Sequence, residues 1–162
     1  MITNFDLEKI ASNYQIELKI FMKDQLDKLP INDGNYIINL DDSKNQGTHW
    51  TALHIRDKQA IYFDSFGCVP PLNVINFVKQ RAKIKLGYNN FIIQDLKSDA
   101  CGFYCIAFFV FLSQSKNKDI YKSTDDFIKM FKDDTLKNEQ ILKNYLKKYD
   151  TTKIKRLINL LS

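Results

Sequence analysis

Four residues of this chain are of the types that together carry out nucleophilic chemistry. In chain order they are His49, Asp64, Gln94 and Cys101. A thiol nucleophile needs a base to take its proton and a group to hold that base, and the oxyanion that it generates needs hydrogen-bond donors. Cysteine is also a common small residue of protein cores, so Cys101 taken alone has an inert interpretation as well.

Cys101 stands between a polar loop and a long apolar run at residues 103–112. Because that run is apolar on every side of a helix, it predicts a helix that is buried on all faces. Ser98 and Asp99 lie where an N-cap belongs, which would place Cys101 in the first helical turn. Unpaired backbone N–H groups and the helix dipole favour a thiolate there. Cys101 is therefore a candidate nucleophile.

The base must be His49 or His54, because the chain has two histidines. They are five positions apart on a strand predicted at residues 48–56, so their side chains are expected on opposite faces. His49 lies at the start of that strand, after a glycine-containing loop and beside Trp50, and functional groups commonly lie at such places. We predict that His49 is the base and that His54 is structural.

Asp64 ends a strand predicted at residues 60–63, the hairpin partner of the strand that carries His49. Its carboxylate is expected to accept a hydrogen bond from Nδ1–H of the imidazole, which fixes the tautomer and stabilises the imidazolium. Taken alone, an aspartate before Gly67 is equally well explained as the first residue of a turn.

Gln94 closes a strand predicted at residues 90–94 and precedes Cys101 by seven residues. The loop between them can return the amide of Gln94 to the thiol, so this amide and the backbone N–H of Cys101 are the expected oxyanion donors. Gly102 is expected to leave room for the backbone of a substrate.

The elements that position these residues predict an α+β fold in one domain that spans residues 1–162. A small mixed β-sheet packs around the buried central helix, which carries Cys101 at its N-terminus. The remaining predicted elements are one or two helices within residues 4–29, a strand at 35–40, and helices at 72–82, 124–132, 136–149 and 154–161.

The net charge of +5 is concentrated in a basic helical segment at about residues 115–162. This segment has 12 Lys and Arg against 7 Asp and Glu, whereas residues 1–114 have 12 of each. The excess is typical both of a contact surface for a polyanion such as DNA and of the solvated face of a terminal helix. No secretory signal and no membrane span are recognised, so we expect a protein that is neither secreted nor bound to a membrane. Three cysteines without a signal indicate a reducing compartment.

Three motifs, in this order, resemble those of the adenovirus protease (adenain) family, cysteine proteases of the clan that also holds the SUMO-specific proteases. They are G-T-H-W at residues 47–50, F-D-S-F-G at 63–67 and Q-x6-C-G-x-x-C at 94–105. The resemblance covers roughly residues 5–112, and the seven-residue gap from Gln94 to Cys101 is that of the viral branch. At Asp64 the adenovirus enzymes usually carry Glu, whereas Asp is usual elsewhere in the clan.

The resemblance implies an adenain-like cysteine protease fold and a thiol endopeptidase whose catalytic residues are Cys101, His49, Asp64 and Gln94. It implies cleavage after small residues, in Gly-Gly or Gly-Ala sites, through a narrow cleft formed in part by Gly47 and Trp50. The implied substrates are capsid and core precursors of a DNA virus of Maverick or virophage type, cleaved during virion maturation. The enzyme would act in the virion and inside the infected cell, in the cytoplasm or the nucleus.

The same resemblance implies a monomeric enzyme that requires no metal or other cofactor. Adenovirus proteases are activated by DNA and by a short viral peptide, so activation by either is expected here, with DNA held by the basic C-terminal segment. The peptide can bond to a cysteine that lies between the acid and the glutamine. Cys68 is the cysteine in that interval, but its context differs, and we expect an unpaired loop thiol. Cys105 is expected to pack in the core.

Three alternatives accompany this interpretation. A zinc site built from the cysteines and a histidine would lack the C-x2-C spacing that such sites use. A non-catalytic, basic nucleic-acid-binding module would explain the C-terminal charge but not the ordered set of His49, Asp64, Gln94 and Cys101. A protease that removes SUMO or ubiquitin-like proteins from conjugates would have the same active site and the same preference for Gly-Gly.

Overall fold

The computed structural model describes residues 2–152, which contain five strands, five α-helices and two short 3-10 helices. The strands are β1 (Lys19–Met22), β2 (Gly34–Asn39), β3 (Trp50–Arg56), β4 (Gln59–Phe63) and β5 (Lys85–Tyr88). The α-helices are α1 (Asn4–Asn13), α2 (Leu72–Lys79), α3 (Cys101–Gln114), α4 (Ile120–Ile128) and α5 (Asn138–Tyr149). Short 3-10 helices lie at Lys23–Lys28 and Thr135–Lys137.

The strands form one mixed sheet in the order β1-β2-β3-β4-β5. The two inner pairings, β2 with β3 and β3 with β4, are antiparallel, and the two outer strands are parallel to their neighbours. A tight turn joins β3 to β4, and Asp57 in that turn has a φ of +56°. This hairpin brings the residues just before β3 close to those just after β4, where His49 and Asp64 lie.

The sheet is covered on both faces because alternate residues of its central strands are apolar. On one face, Ala52 and Phe63 pack against α3. On the other face, Leu53 and Tyr62 pack against α2. The result is a sheet between a large helical layer and a small one, an α+β arrangement that confirms the predicted fold class.

Helix α3 is the centre of the larger layer. It contacts β3, α1, α4 and α5. Nine of its residues are buried, and the aromatic ones among them are Tyr104, Phe108 and Phe109. Phe108 stacks on Phe63 of β4, with ring centroids 4.7 Å apart. The prediction of a central buried helix is confirmed from Tyr104 to Val110, whereas Phe103, within the predicted buried run, is 38% exposed.

The N-terminal region differs from its prediction as helix throughout residues 4–29. Only α1 is an α-helix there, and it is followed by β1 and a 3-10 helix. Lys19 to Met22 pair in parallel with Tyr36 to Asn39 of β2. This pairing is between residues distant in sequence, so it overrides the local helical spacing of the apolar residues.

The strand predicted at residues 90–94 is wrong, because the fifth strand is β5, which lies earlier. Phe91 and Ile92 are 64% and 53% exposed, unlike residues of a buried strand. The backbone N–H groups of Ile93 and Gln94 both donate to the carbonyl of Ser65, at 2.9 and 3.1 Å, rather than to a strand. Gly87 lies inside β5, where a Cβ would come within 2.8 Å of the ring of Tyr121.

The other boundaries differ by a few residues. Helix α2 ends at Lys79 rather than at residue 82, and α4 begins at Ile120 rather than at residue 124 because Asp119 caps it, accepting from the N–H of Tyr121 at 3.0 Å. The helix predicted at residues 154–161 lies outside the described residues. Within the part of the chain that the structure describes, no helix has the length and apolar content needed to span a membrane.

Candidate active site

Cys101 is the first residue of α3 and is buried with its thiol free. The N-cap residue is Ala100, which corrects the prediction that Ser98 or Asp99 caps the helix. The hydroxyl of Ser98 instead accepts a hydrogen bond from the N–H of Ala100, at 3.1 Å, just before the helix. Backbone N–H groups in a first helical turn have no partner within the helix, so Cys101 lies where both a thiolate and an oxyanion are favoured.

His49 lies one residue before β3, and its Nε2 is 2.8 Å from Oδ1 of Asp64. Because a carboxylate accepts, Nε2–H is the donor and the tautomer is assigned. The carboxylate of Asp64 therefore meets Nε2 and not Nδ1, which corrects the prediction. Nδ1 is thereby the ring nitrogen left to face Cys101, whose side chain helps to raise the pKa of His49.

The environment of His49 favours its charged form. Burial lowers the pKa of His49, but the hydrogen bonds with Asp64 and Cys101 and the negative charges of these two groups outweigh it and raise the pKa to about 9. At neutral pH the imidazole is therefore an imidazolium, between the carboxylate of Asp64 and the side chain of Cys101. Phe66 stacks on the ring, with centroids 4.8 Å apart and planes inclined at 29°.

Asp64 directly follows β4, and it is 1% exposed. The side chain of Asn89 holds its backbone: Oδ1 accepts from the N–H of Asp64 at 2.9 Å, and Nδ2 donates to its carbonyl at 2.7 Å. The N–H of Phe66 donates to the carboxylate at 2.8 Å. Sequence reasoning gave Asn89 and Phe66 no role. Phe66 lies within a motif that was recognised, whereas Asn89 lacked any signal because β5 was placed incorrectly.

Gln94 is buried beside the loop that leads to Cys101, and both ends of its amide are engaged. Oε1 accepts a hydrogen bond from the hydroxyl of Ser65 at 2.6 Å, and Nε2 donates to the carbonyl of Ser98 at 2.9 Å. Sequence reasoning also missed Ser65, although it lies in the F-D-S-F-G motif.

Trp50 lies beside the N-terminal segment and near Gly102, and Gly47 packs against Asn39. The indole Nε1 of Trp50 donates to the carbonyl of Ile2 at 3.0 Å. Gly47 has a φ of +91°, which favours glycine, and a Cβ there would lie 2.8 Å from Nδ2 of Asn39.

Gly102 has contacts that differ from the expected role of making room for substrate. A Cβ at this position would lie 2.7 Å from Cγ2 of Ile2 and 2.9 Å from Cδ2 of Leu7. The space beside Gly102 is therefore filled by the N-terminal segment and α1, and the glycine allows this close packing.

The remaining histidine and cysteines do not join this trio, although Cys68 lies near Asp64: burial and then the negative charge of Asp64 raise the pKa of its thiol. Nδ1 of His54 is 2.7 Å from Oδ1 of Asn35, and burial lowers the pKa of His54 to about 4, so its imidazole is neutral. Cys105 is buried, its thiol donates to the carbonyl of Trp50 at 3.5 Å, and burial raises its pKa well above the ordinary value. Cys68 is an exposed free thiol in a loop. Among residues 2–152, no three His, Cys, Asp or Glu side chains are grouped as metal ligands are.

The structure therefore brings His49, Asp64 and Cys101 together, from the ends of two hairpin strands and the start of the central helix. Gln94 is fixed within the loop that precedes this helix start. A charged imidazole between a carboxylate and a buried cysteine side chain, at a helix N-terminus, can stabilise a thiolate and later give its proton to a leaving group.

Comparison with known proteins shows the fold but no close relative in sequence. No protein-family model matches the chain, and no curated protein is similar to it at a significant level. The structure is similar to a crystal structure of ASFV pS273R protease, with a TM-score of 0.60 and 20% identity over 90% of this chain and 66% of that chain. A crystal structure of the Se-Met form of that protease aligns with a TM-score of 0.48 and 22% identity, over 69% of this chain and 43% of the other.

This chain thus spans less than two thirds of the length of either of these solved structures. Its α+β fold, with a mixed five-stranded sheet and helices, is that of this protease. The likeness of fold supports the resemblance to adenain-type proteases that the three motifs indicated.

Proposed function

We propose that this protein is a cysteine protease in which Cys101 is the nucleophile. His49 is its base and acid, Asp64 orients His49, and the amide of Gln94 joins the backbone N–H of Cys101 as oxyanion donor. The observation that carries the proposal is the position of His49, which bonds to buried Asp64 through Nε2 and lies close enough to Cys101, at the start of α3, for that side chain to raise its pKa. A histidine with a purely structural role would not need a cysteine beside its second ring nitrogen.

The first half of the reaction forms a thioester. His49 holds the proton of Cys101 as an imidazolium, and the thiolate Sγ attacks the carbonyl carbon of the scissile peptide bond. The electron pair of the carbonyl moves onto its oxygen, which accepts from Nε2–H of Gln94 and from the N–H of Cys101. As the C–N bond breaks, the imidazolium of His49 gives its proton to the leaving amine.

Water then completes the reaction. Neutral His49 takes a proton from a water molecule, whose oxygen attacks the thioester carbon, and the oxyanion forms again in the same place. When the C–S bond breaks, the acid product leaves, and the proton on His49 restores the starting imidazolium beside the thiolate.

The substrate is proposed to be an extended peptide with small residues at the cleavage site. A surface cavity of about 420 Å³ beside Trp50 is bordered by Ile2, Gln46 and Asn39. Asn39 lines this cavity, and its buried Nδ2 has no hydrogen-bond partner among the described residues. The preference for Gly-Gly or Gly-Ala sites is proposed from the resemblance to adenain-type proteases.

Viral capsid and core precursors are the proposed natural substrates, in a maturing virion or an infected cell. The alternative substrates are SUMO or ubiquitin-like conjugates. Incubation of the protein with a precursor that contains a Gly-Gly site, and separately with such conjugates, distinguishes them. Cleavage of the conjugates alone would overturn the maturation role but not the chemistry.

DNA is proposed as a partner through the basic C-terminal segment. Lys143, Lys147 and Lys148 of α5 are exposed, whereas Lys153, Lys155 and Arg156 lie outside the described residues. Charge-based binding weakens steeply with salt. Fluorescence anisotropy with a labelled duplex should therefore show affinity that falls between 50 and 200 mM salt. Affinity independent of salt, or no binding at low salt, would reject this partner.

The chemistry is tested with Cys101→Ala and with Cys105→Ala as the matched control one helical turn away. Both variants are assayed for cleavage of a Gly-Gly peptide and for modification by iodoacetamide, with the labelled cysteine identified by mass spectrometry. Cys101→Ala should lose cleavage, and Cys105→Ala should retain both cleavage and labelling of Cys101. Cleavage that persists in Cys101→Ala would refute the proposal and would favour a binding module or a different nucleophile.

A further inference from the structure

The hydroxyl of Ser65 forms a hydrogen bond of 2.6 Å with Oε1 of Gln94, in a place where both side chains are about 1% exposed. We infer that Ser65 is a positioning residue that sets the direction of the Gln94 amide, and so of its N–H donors, toward the oxyanion. This inference rests on the proposed function, because it concerns the donor used in that reaction.

The chemistry of the two partners decides which way the amide of Gln94 points. The carbonyl of Ser98 can only accept, so the amide end next to it must be Nε2, at 2.9 Å. The hydroxyl of Ser65 donates to the opposite end, Oε1. A rotation of the amide by 180° would place its oxygen against the carbonyl of Ser98, so the observed direction is favoured at both ends.

Nε2 carries two N–H groups, of which one is used by Ser98. The second is the group that the proposed mechanism assigns to the oxyanion. Without the bond from Ser65, the amide would be held at a single point and could turn about the Nε2 contact. The second N–H of Gln94 would then no longer be aligned with the oxyanion, so the transition state would be stabilised less.

Ser65 is itself held in place by the backbone. Its carbonyl accepts from the N–H groups of Ile93 and Gln94, and it lies inside the turn that the N–H of Gly67 closes onto the carbonyl of Asp64, at 2.8 Å. Gly67 has a φ of +68°, and a Cβ there would lie 2.8 Å from the backbone of Phe91. The same turn therefore fixes the residue that orients the base and the residue that orients the oxyanion donor.

Ser65→Ala removes the hydroxyl and leaves Oε1 of Gln94 buried without this donor. Loss of a whole oxyanion donor lowers kcat by about 10²–10³-fold, and loss of its alignment should lower kcat by part of this, roughly 10–100-fold. KM should change little, because the oxyanion forms only after binding. Ser123→Ala is the matched control, since it removes another buried hydroxyl, one that bonds to Ser115 at 2.8 Å in a different part of the fold.

The test is a double-mutant cycle with Gln94→Ala, measured as kcat and KM on a Gly-Gly peptide. If Ser65 acts through Gln94, the cost of Ser65→Ala should nearly vanish when Gln94 is already alanine. A kcat at the wild-type value in Ser65→Ala would overturn the inference. So would an equal loss of kcat with and without Gln94, or an equal loss in Ser123→Ala.

Ser65→Cys keeps the test usable if the alanine variant fails to fold. A thiol is a weaker donor than a hydroxyl, so this variant should have a kcat several-fold below the wild type, and a wild-type kcat would overturn the inference.

Alkylation of Cys101 by iodoacetamide separates this inference from the proposed function, because the alkylation forms no oxyanion. The alkylation rate should be unchanged in Ser65→Ala, and a rate reduced as much as kcat would show that the substitution disturbs the thiol instead. Cleavage by Cys101→Ala would refute the protease itself. Loss of cleavage in Cys101→Ala with full cleavage by Ser65→Ala would refute only the role of Ser65.

Discussion

Replacing Asp64 by Asn should remove most of the charge stabilisation of His49 while preserving the size of the side chain. The carboxylate is buried and lies 2.8 Å from Nε2, and its bond and charge help to raise the pKa of His49 from the ordinary 6.5 to about 9. Such a displacement corresponds to roughly 3 kcal/mol in favour of the imidazolium. In Asp64→Asn the carboxylate no longer offsets burial, which lowers the pKa of His49, so this pKa should fall to about 6.5 or below.

NMR of the imidazole groups measures this directly, because the chain has two histidines. In the wild type one histidine should titrate near pH 9, and His54, whose pKa burial lowers to about 4, is the internal reference. Asp64→Asn should shift the first titration and leave the second unchanged. Asp126→Asn, a charge change on the exposed face of α4, should shift neither.

The kinetic consequence is a loss of acid–base catalysis. At pH 7.5 the fraction of protonated His49 should fall from nearly complete to about a tenth, and kcat should fall by about 10²–10⁴-fold. A wild-type pKa of His49 below 7 would refute the argument. So would a pKa that stays above 8 in Asp64→Asn, because the carboxylate would then not be its cause.

Three further predictions concern stability and packing. The pKa of His49 is higher in the folded protein than in the unfolded chain, so its contribution of about 2–3 kcal/mol to the free energy of unfolding is complete below pH 6.5 and is lost as the pH rises through 9. The pKa of His54 is lower in the folded protein, so its contribution is lost as the pH falls from 6.5 through 4. Urea unfolding should show both losses of stability. His49→Gln should abolish the loss at high pH and His54→Gln the loss at low pH, and a variant that retains the loss assigned to its residue would contradict the assignment. Phe66→Ala removes the ring stacked on His49, and kcat should fall several-fold through a less well-held imidazole, while an unchanged kcat would show that Asp64 holds the ring unaided. Gly102→Ala places a Cβ against Ile2 and Leu7, so thermal unfolding should show a loss of about 1–3 kcal/mol, and wild-type stability would show that α1 moves aside freely.

The local chemistry of the sequence predicted the elements around the candidate site where a residue's type and its nearest neighbours decide the outcome. The all-apolar run after Cys101 predicted the buried helix, since such a run can be satisfied only by burial on all sides. The hairpin of β3 and β4 predicted that His49 and Asp64 would lie near each other, because a tight turn fixes which residues of two strands are opposite.

Tertiary structure decided what depends on partners distant in the chain. The parallel pairing that makes Lys19–Met22 a strand, and the pairing of β5 with β4 in place of residues 90–94, were not visible in local spacing. The ring nitrogen of His49 that meets Asp64 depends on how two elements approach each other, and spacing cannot distinguish Nε2 from Nδ1.

The Ser65–Gln94 bond shows the same limit. It joins residues 29 positions apart and exists only because the loop that carries Gln94 is held against the turn after β4. The residue types that make a reactive cysteine site were thus determined by the sequence itself, since each has few substitutes in that chemistry. Their orientation was decided by the packing of the turn, the loop and the central helix, because the direction of a hydrogen bond depends on where both partners lie in space.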